Sequence, residues 1–202
     1  MEALVSVSKP FGMDDQAVRD FFLNLIGSSA QATTAALAGF VPAGVDAVAF
    51  DRDWRAANAA QRQGPVPLRP TVAEVLQDLS GAGHAMAVVT STKRAPALEH
   101  LESAGLLSHF DLVIAGDEVT DNKPHPAPYL QAAAALGVDP SRCAAFEDSD
   151  TGTHAAVAAG CVTTQIPDLR PPVPLPDLGQ RVASDLRAAV TGLGLMPVVA
   201  AR

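Results

Sequence analysis

Apolar positions change their spacing partway along this chain. Up to about residue 63 they recur at helical intervals. From about residue 71 short apolar runs alternate with amphipathic stretches. Val18, Phe21, Phe22 and Ile26 share one face of a predicted helix over 14–26, with Asp14 or Asp15 as its cap. The Ala-rich stretch 30–37 reads as helix, and Pro42-Ala43-Gly44 breaks it. Residues 45–63 favour helix over most of their length, although Ala47-Val48-Ala49-Phe50 also reads as a strand. Residues 1–10 are ambiguous, and Pro10-Phe11-Gly12 reads as a turn.

Gly64 to Pro70 is rich in Pro and Gly and separates the two textures. After it, Thr71 is positioned to cap a helix to about Leu79, with Val72, Val75, Leu76 and Leu79 on one face. Apolar runs at 85–89, 110–115, 143–146 and 162–166 read as buried strands. Between them, 95–104, 124–135 and 151–159 read as helices, each followed by Gly. Residues 171–177 are Pro-rich coil, and 178–193 read as a last helix. Strands alternating with helices over short loops predict a parallel sheet covered on both faces. The expected fold class is therefore α/β, a Rossmann-like parallel-sheet core at 67–202 behind a helical region at 1–66.

Composition narrows the partners. Net charge is −8, from 14 basic and 22 acidic residues, with no Lys/Arg cluster, which argues against nucleic acid and anionic membrane surfaces. Hydrophobic residues make up 48% and aromatics only 4%, so the core is built of Ala, Val and Leu. The two cysteines, Cys143 and Cys161, have no metal-ligand spacing and suit a reducing cytoplasm. No apolar run reaches the ~18 residues of a membrane span. The first residues lack the basic and apolar regions of a secretory signal.

Three strand ends carry polar chemistry. The hydroxyls and backbone N–H groups of Thr90-Ser91-Thr92 can hold phosphoryl oxygens, or simply end a strand. Lys123, before Pro124, is expected at a helix N-terminus, where a cation opposes the helix dipole unless an anion is held there. An exposed solvated lysine is the plainer alternative. The carboxylates of Glu147 and Asp148 repel each other unless a cation or hydrogen bonds neutralise them. Helix capping would account for Asp148, Ser149 and Asp150, but poorly for Glu147. Hard oxygens of this kind suit Mg²⁺, and ligands bind at the carboxyl edge of open α/β sheets. The five histidines show no metal spacing.

Taken in order on successive βα units, these segments resemble the haloacid dehalogenase superfamily of aspartate-nucleophile phosphatases and phosphomutases. The resemblance is carried by Val88-Val89-Thr90-Ser91-Thr92, Asn122-Lys123-Pro124-His125-Pro126 and Phe146-Glu147-Asp148-Ser149-Asp150-Thr151-Gly152. Leu68-Arg69-Pro70, His109-Phe110-Asp111, Gly116-Asp117-Glu118-Val119 and Pro167-Asp168-Leu169-Arg170-Pro171-Pro172 also fit. It covers roughly 70–172 and looks closest to the subgroup of β-phosphoglucomutase and small sugar-phosphate phosphatases. Asn122 stands where the family usually has Gly, and Asn tolerates left-handed backbone. The resemblance implies a Mg²⁺-dependent phosphatase acting on a small phosphorylated metabolite through an aspartyl-phosphate, with mutase chemistry as an alternative. It implies that Thr90 and Ser91 bind the phosphoryl group and that Lys123 neutralises it. It implies that Asp148 ligates Mg²⁺, with Glu147 as ligand or neighbour.

The family's first motif, a buried strand ending Asp-x-Asp-Gly-Thr, does not occur in this sequence. One reading makes residues 1–69 the helical cap that this subgroup inserts after that motif, so that the chain starts downstream of it. The other makes Val48-Ala49-Phe50-Asp51-Arg52-Asp53 a degenerate version, with Asp51 and Asp53 as its acids, although Trp54-Arg55 replaces the Gly-Thr turn. Without the first strand, which the fold would place between those ending at Thr90 and Glu147, two edges stand unpaired. Poor solubility or substitute pairing, by residues 1–8, is expected. A non-catalytic remnant that binds phosphate or a protein partner is the rival to an active enzyme.

Overall fold

The structure, a computed structural model, describes residues 1–61, 67–169 and 173–196. Residues 62–66, which take in the start of the Pro/Gly break, residues 170–172 of the last flanking segment and the last six residues lie outside it.

Helical spacing wins throughout the first part. Helices α1 (Glu2–Ser8), α2 (Asp15–Asn24), α3 (Ala30–Phe40) and α4 (Ala47–Gln61) form there. Asp14 caps α2 by accepting the N–H of Ala17 at 2.9 Å, and Ser29 caps α3 through Ala32. Leu4, Val5, Val18, Leu37 and Phe50 bury one cluster between these helices, and Phe21 stacks on Phe40 at 3.8 Å. The strand alternative for 47–50 is not realised, because Phe50 and Asp51 turn inward as part of α4. The substitute pairing expected of residues 1–8 is not realised either. Those residues form α1, whose Ala3, Leu4 and Val5 are buried and which packs on α4.

The second part alternates as expected: α5 (Val72–Gly81), β1 (Ala87–Val89), α6 (Arg94–Ser103), β2 (Leu112–Ile114), α7 (Ala127–Leu136), β3 (Ala144–Glu147), α8 (Asp150–Ala158), β4 (Val162–Gln165), β5 (Arg181–Val182) and α9 (Leu186–Gly192). Among the described residues all pairings are parallel, and the strands fall in two pieces, β1-β2 and β3-β4-β5. Helices cover both faces of both pieces. On one side Val75, Leu76 and Leu79 of α5 and Val190 of α9 pack with Met86 and Phe146. On the other, Tyr129 of α7 and Ala155, Ala156 and Ala159 around α8 pack with Val89 and Ala145. Each layer therefore touches a residue of β1 or its approach and a residue of β3.

Two helix starts and one cap differ from the expectation. Helix α7 begins at Ala127, not Pro124, because each proline disfavours helical backbone in the residue before it and His125 precedes Pro126. Thr71 is the N-terminal flanking residue of α5, yet it makes no capping bond. Its φ of 67° turns the hydroxyl away, and Oγ1 is buried without a partner. The last helix starts at Leu186 rather than 178. Arg181-Val182 adds a strand beside β4, and Asp185 then caps α9 by accepting the N–H of Ala188.

Candidate active site

The polar strand ends converge because β1 and β3 point the same way. Beyond β1, the N–H of Thr90 donates to Ile114 O at 2.9 Å, and Thr90 Oγ1 accepts the N–H of Thr92 at 3.1 Å. Ser91 Oγ donates to Gly27 O at 3.3 Å, which ties the helical part to this turn. Gly116 lies so close behind that a Cβ there would collide with the Ser91 carbonyl.

Lys123 lies in the loop ahead of α7, three residues before the helix starts, so the dipole argument for it does not apply. Its side chain is only 7% exposed. Nζ donates to Val89 O at 2.9 Å and to Glu147 Oε1, and stands 5.2 Å from the Tyr129 ring centroid. Glu147, also 7% exposed, accepts the Tyr129 hydroxyl on the same oxygen. Gly152, in the first turn of α8, gives this carboxylate room, since a Cβ there would overlap it. Burial, with the Glu147 charge second, pushes the Tyr129 hydroxyl far above the usual phenol range, so it stays a donor.

Asp148 is different. It is exposed, and no hydrogen bond or ion pair engages its carboxylate among the described residues. Ser149 turns inward to cap α8, accepting the N–H of Gly152 at 3.1 Å. Asp150 Oδ1 accepts Gln165 Nε2 at 2.7 Å, which joins α8 to β4. The adjacent carboxylates thus divide their work: Glu147 is neutralised by Lys123 and Tyr129, while Asp148 has its oxygens available to a cation. Among the described residues no group of three or more His, Cys, Asp or Glu side chains is gathered to hold a metal. The donor set suits Mg²⁺ only as one carboxylate supplemented by water and ligand oxygens, a usual arrangement for that ion.

These groups line a cleft of about 2390 Å³ that also takes in Thr34, Asp51 and Arg55 from the helical part. Asp51 is 8% exposed, accepts Thr34 Oγ1 at 2.9 Å and pairs with Arg55. Asp53 pairs with Arg52 at the surface and does not line the cleft. At the rim Arg69 pairs with Asp168 at 3.0 Å, joining two of the flanking segments. The structure therefore brings Thr90, Ser91, Lys123, Glu147 and Asp148 together, with Asp51 across the cleft and Asp53 outside.

Tyr129 does not stand out in the sequence, and Gly152 appears there only within the Phe146-to-Gly152 segment, without a role of its own. Tyr129 reads as one more apolar position of α7, and its being the only tyrosine in a chain poor in aromatics is the available signal. Gly152, inside a helix, is the other, because a glycine there is unfavourable without a packing reason.

The family model described as haloacid dehalogenase-like hydrolase matches residues 1–166. The protein CbbY of Rhodobacter capsulatus is 41% identical over 102 residues, 48% of this chain and 44% of that one. The phosphorylated carbohydrates phosphatase of Thermotoga maritima is 38% identical over 91 residues, 45% of this chain and 42% of that one. The chain thus spans less than half the length of these curated relatives. A crystal structure of a HAD family hydrolase from Deinococcus radiodurans R1, with bound phosphate and sodium, aligns at a TM-score of 0.67 and 30% identity, over 96% of this chain and 89% of that one. The order of the strand-end residues, the α/β core and these matches agree: the chain belongs to the haloacid dehalogenase-like hydrolases.

Proposed function

We propose that this chain works as a Mg²⁺-dependent phosphatase on a small phosphorylated metabolite, a sugar phosphate or a compound like it. The observation that carries the reading is Lys123. It is a buried cation held between the ends of β1 and β3, beside the Thr90-Ser91-Thr92 turn and the exposed Asp148. Thr90, Ser91 and the backbone N–H groups of their turn hold phosphoryl oxygens. Lys123 neutralises the charge that grows on them. Asp148 holds Mg²⁺, which when bound polarises the phosphoryl group. Glu147 fixes Lys123 in place and is kept there by Tyr129. Residues 1–66 act as a cap over the core at 67–202, and Thr34 and Arg55 face the substrate from it. The phosphate in the Deinococcus relative and the name of the Thermotoga relative support the substrate class. Two free cysteines support a reducing cytoplasm as the compartment.

The reaction this resemblance implies needs an aspartate nucleophile. Asp51 is the carboxylate that faces the cleft from the helical part, and it is occupied by Thr34 and Arg55. That observation favours a second reading, a phosphate-binding remnant without turnover. Release of p-nitrophenol from p-nitrophenyl phosphate, with and without Mg²⁺, separates the two. Mg²⁺-dependent turnover lost in Asp148→Asn and in Lys123→Met establishes the phosphatase. Turnover lost in Asp51→Asn assigns the nucleophile to Asp51. No turnover by a chain that still binds inorganic phosphate saturably selects the remnant.

A further inference from the structure

We propose that Cys143 and Cys161 form a redox-sensitive pair, which a hydroperoxide closes into a disulfide between the starts of β3 and β4. Strand register carries this assignment, whether or not the site turns over phosphate.

These are the two cysteines of the chain, and both are free and half-buried. Ala144 stands opposite Val162 and Ala145 opposite Thr163 in the parallel ladder of β3 and β4. One position earlier, that register sets Cys143 opposite Cys161. The ladder reaches this far, because the N–H of Val162 donates to Cys143 O at 2.9 Å. Cys143 has extended backbone, at φ −94° and ψ 132°. Residues two apart along a strand share a face, so Cys143 lies on the face of Ala145 and Cys161 on that of Thr163. Cys161 packs with the cluster of Ala145, Ala155 and Ala156. Both thiols therefore leave the sheet on the side of α7 and α8. Neighbouring strands run about 4.8 Å apart, and a disulfide joins Cα atoms about 4.4–6.8 Å apart. The register places the two cysteines within that reach.

Their backbones are fixed while their sulfurs stay available. The Cys143 N–H donates to Pro140 O at 2.9 Å and the Cys161 N–H to Ala156 O at 3.1 Å. Cys143 Sγ donates to Asp139 O at 3.4 Å, a weak bond that rotation of the side chain releases. Cys161 packs among the alanines around α8, whereas Cys143 follows the exposed turn of Ser141 and Arg142. Cys143 is thus the thiol that a hydroperoxide meets first. Burial, with the Cys143 thiol second, pushes Cys161 up to about 11. Burial, with the Asp139 charge second and Arg142 opposing, raises Cys143. The thiolate is the reactive form, so the pair stays reduced in dilute oxidant and closes when hydroperoxide accumulates. In a reducing compartment the dithiol is the resting form.

Closure takes two steps. The Cys143 sulfur takes one oxygen of the hydroperoxide, whose O–O bond breaks and whose other oxygen leaves with the thiol proton as an alcohol, or as water from hydrogen peroxide. Cys143 is then a sulfenic acid. The Cys161 sulfur attacks the Cys143 sulfur, the S–O bond breaks, and the hydroxide leaves with the Cys161 proton as water. Two thiols are oxidised and one hydroperoxide is reduced. The bond closes a loop over β3, α8 and β4, the unit whose far end carries Glu147 and Asp148. Such a link removes freedom from the unfolded chain, so the oxidised protein resists unfolding.

The test treats the full chain with hydrogen peroxide and reads intact mass and free thiols. The mass is expected to fall by two hydrogens, both thiols are expected to disappear together, and dithiothreitol restores both. No Lys or Arg lies between the cysteines, so trypsin leaves both on one fragment that begins at Cys143. That fragment stays single without reductant. The oxidised chain is expected to melt roughly 5–10 °C above the reduced one. In Cys161→Ser the sulfenic acid has no thiol to resolve it, and dimedone is expected to trap it on Cys143. Cys143→Ser is expected to take up at least tenfold less dimedone, with melting in reductant showing that both variants are folded. Oxygen added to the thiols of the parent without loss of two hydrogens overturns the proposal. So does a disulfide that joins two chains and grows with protein concentration, or an oxidised chain that melts no higher than the reduced one.

Discussion

Tyr129 shows how one residue sets the protonation of a site. Its hydroxyl is buried and bonded to Glu147, and burial together with that negative charge raises its pKa far above the ordinary 10.0. Below about pH 10 both folded and unfolded tyrosine keep the proton, and the contribution to stability is complete. Above it the unfolded chain loses the proton and the folded one does not, so stability falls as pH rises, by up to about 1.4 kcal/mol per pH unit. Because the chain has one tyrosine, absorbance at the tyrosinate band reports this residue alone. No ionisation step is expected in the folded protein near pH 10, and one is expected in denaturant. Tyr129→Phe should cost about 1–3 kcal/mol at neutral pH by removing a partner of a buried carboxylate. It should also flatten the alkaline loss of stability in denaturant titrations.

At the scale of elements, caps and prolines decide what periodicity leaves open. Periodicity places α2, α3, α5 and α6 to within a few residues, and Asp14 caps α2 as its position predicts. It misses α1, because seven residues offer too few turns for a pattern. It overruns at α9, where pairing of Arg181-Val182 with β4 is a contact made at long range. Thr71 stands where a cap is expected but does not act as one. A β-branched residue at φ 67° stores backbone strain of about 1–3 kcal/mol, and its buried hydroxyl has no partner. Thr71→Gly is therefore expected to stabilise the chain by about 1 kcal/mol after the entropic cost of glycine. A lower midpoint in urea for this variant would contradict that account.

For the whole molecule, the Lys123–Glu147 pair has a structural consequence as well as a proposed chemical one. It runs from the carbonyl of Val89 on one sheet piece to the end of β3 on the other. Both side chains are 7% exposed, so removing one partner strands the other charge in a poorly solvated place. Lys123→Met should cost about 3–5 kcal/mol in chemical denaturation. Lys123→Met/Glu147→Gln, which keeps an acceptor for Tyr129, should recover most of that loss. A double variant no more stable than the single one would mean that the pair does not couple the two pieces.

The sequence by itself determined the α/β class and the helical character of the first sixty residues. It also determined the convergence of Thr90, Glu147 and Asp148, because alternating strands and helices with short loops force successive strand ends to one edge of a sheet; Lys123 reaches them from the loop ahead of α7, which the tertiary structure places. The order of polar residues at those ends was enough to suggest the family. Tertiary structure alone decided how the two carboxylates divide, because what touches Glu147 comes from Lys123 and Tyr129, 24 and 18 positions away. It alone placed Asp51 on a helix across the cleft and, among the described residues, set β1 and β3 in separate pieces of sheet. Strand pairing is a contact between segments distant in sequence, and local spacing does not specify which strands pair.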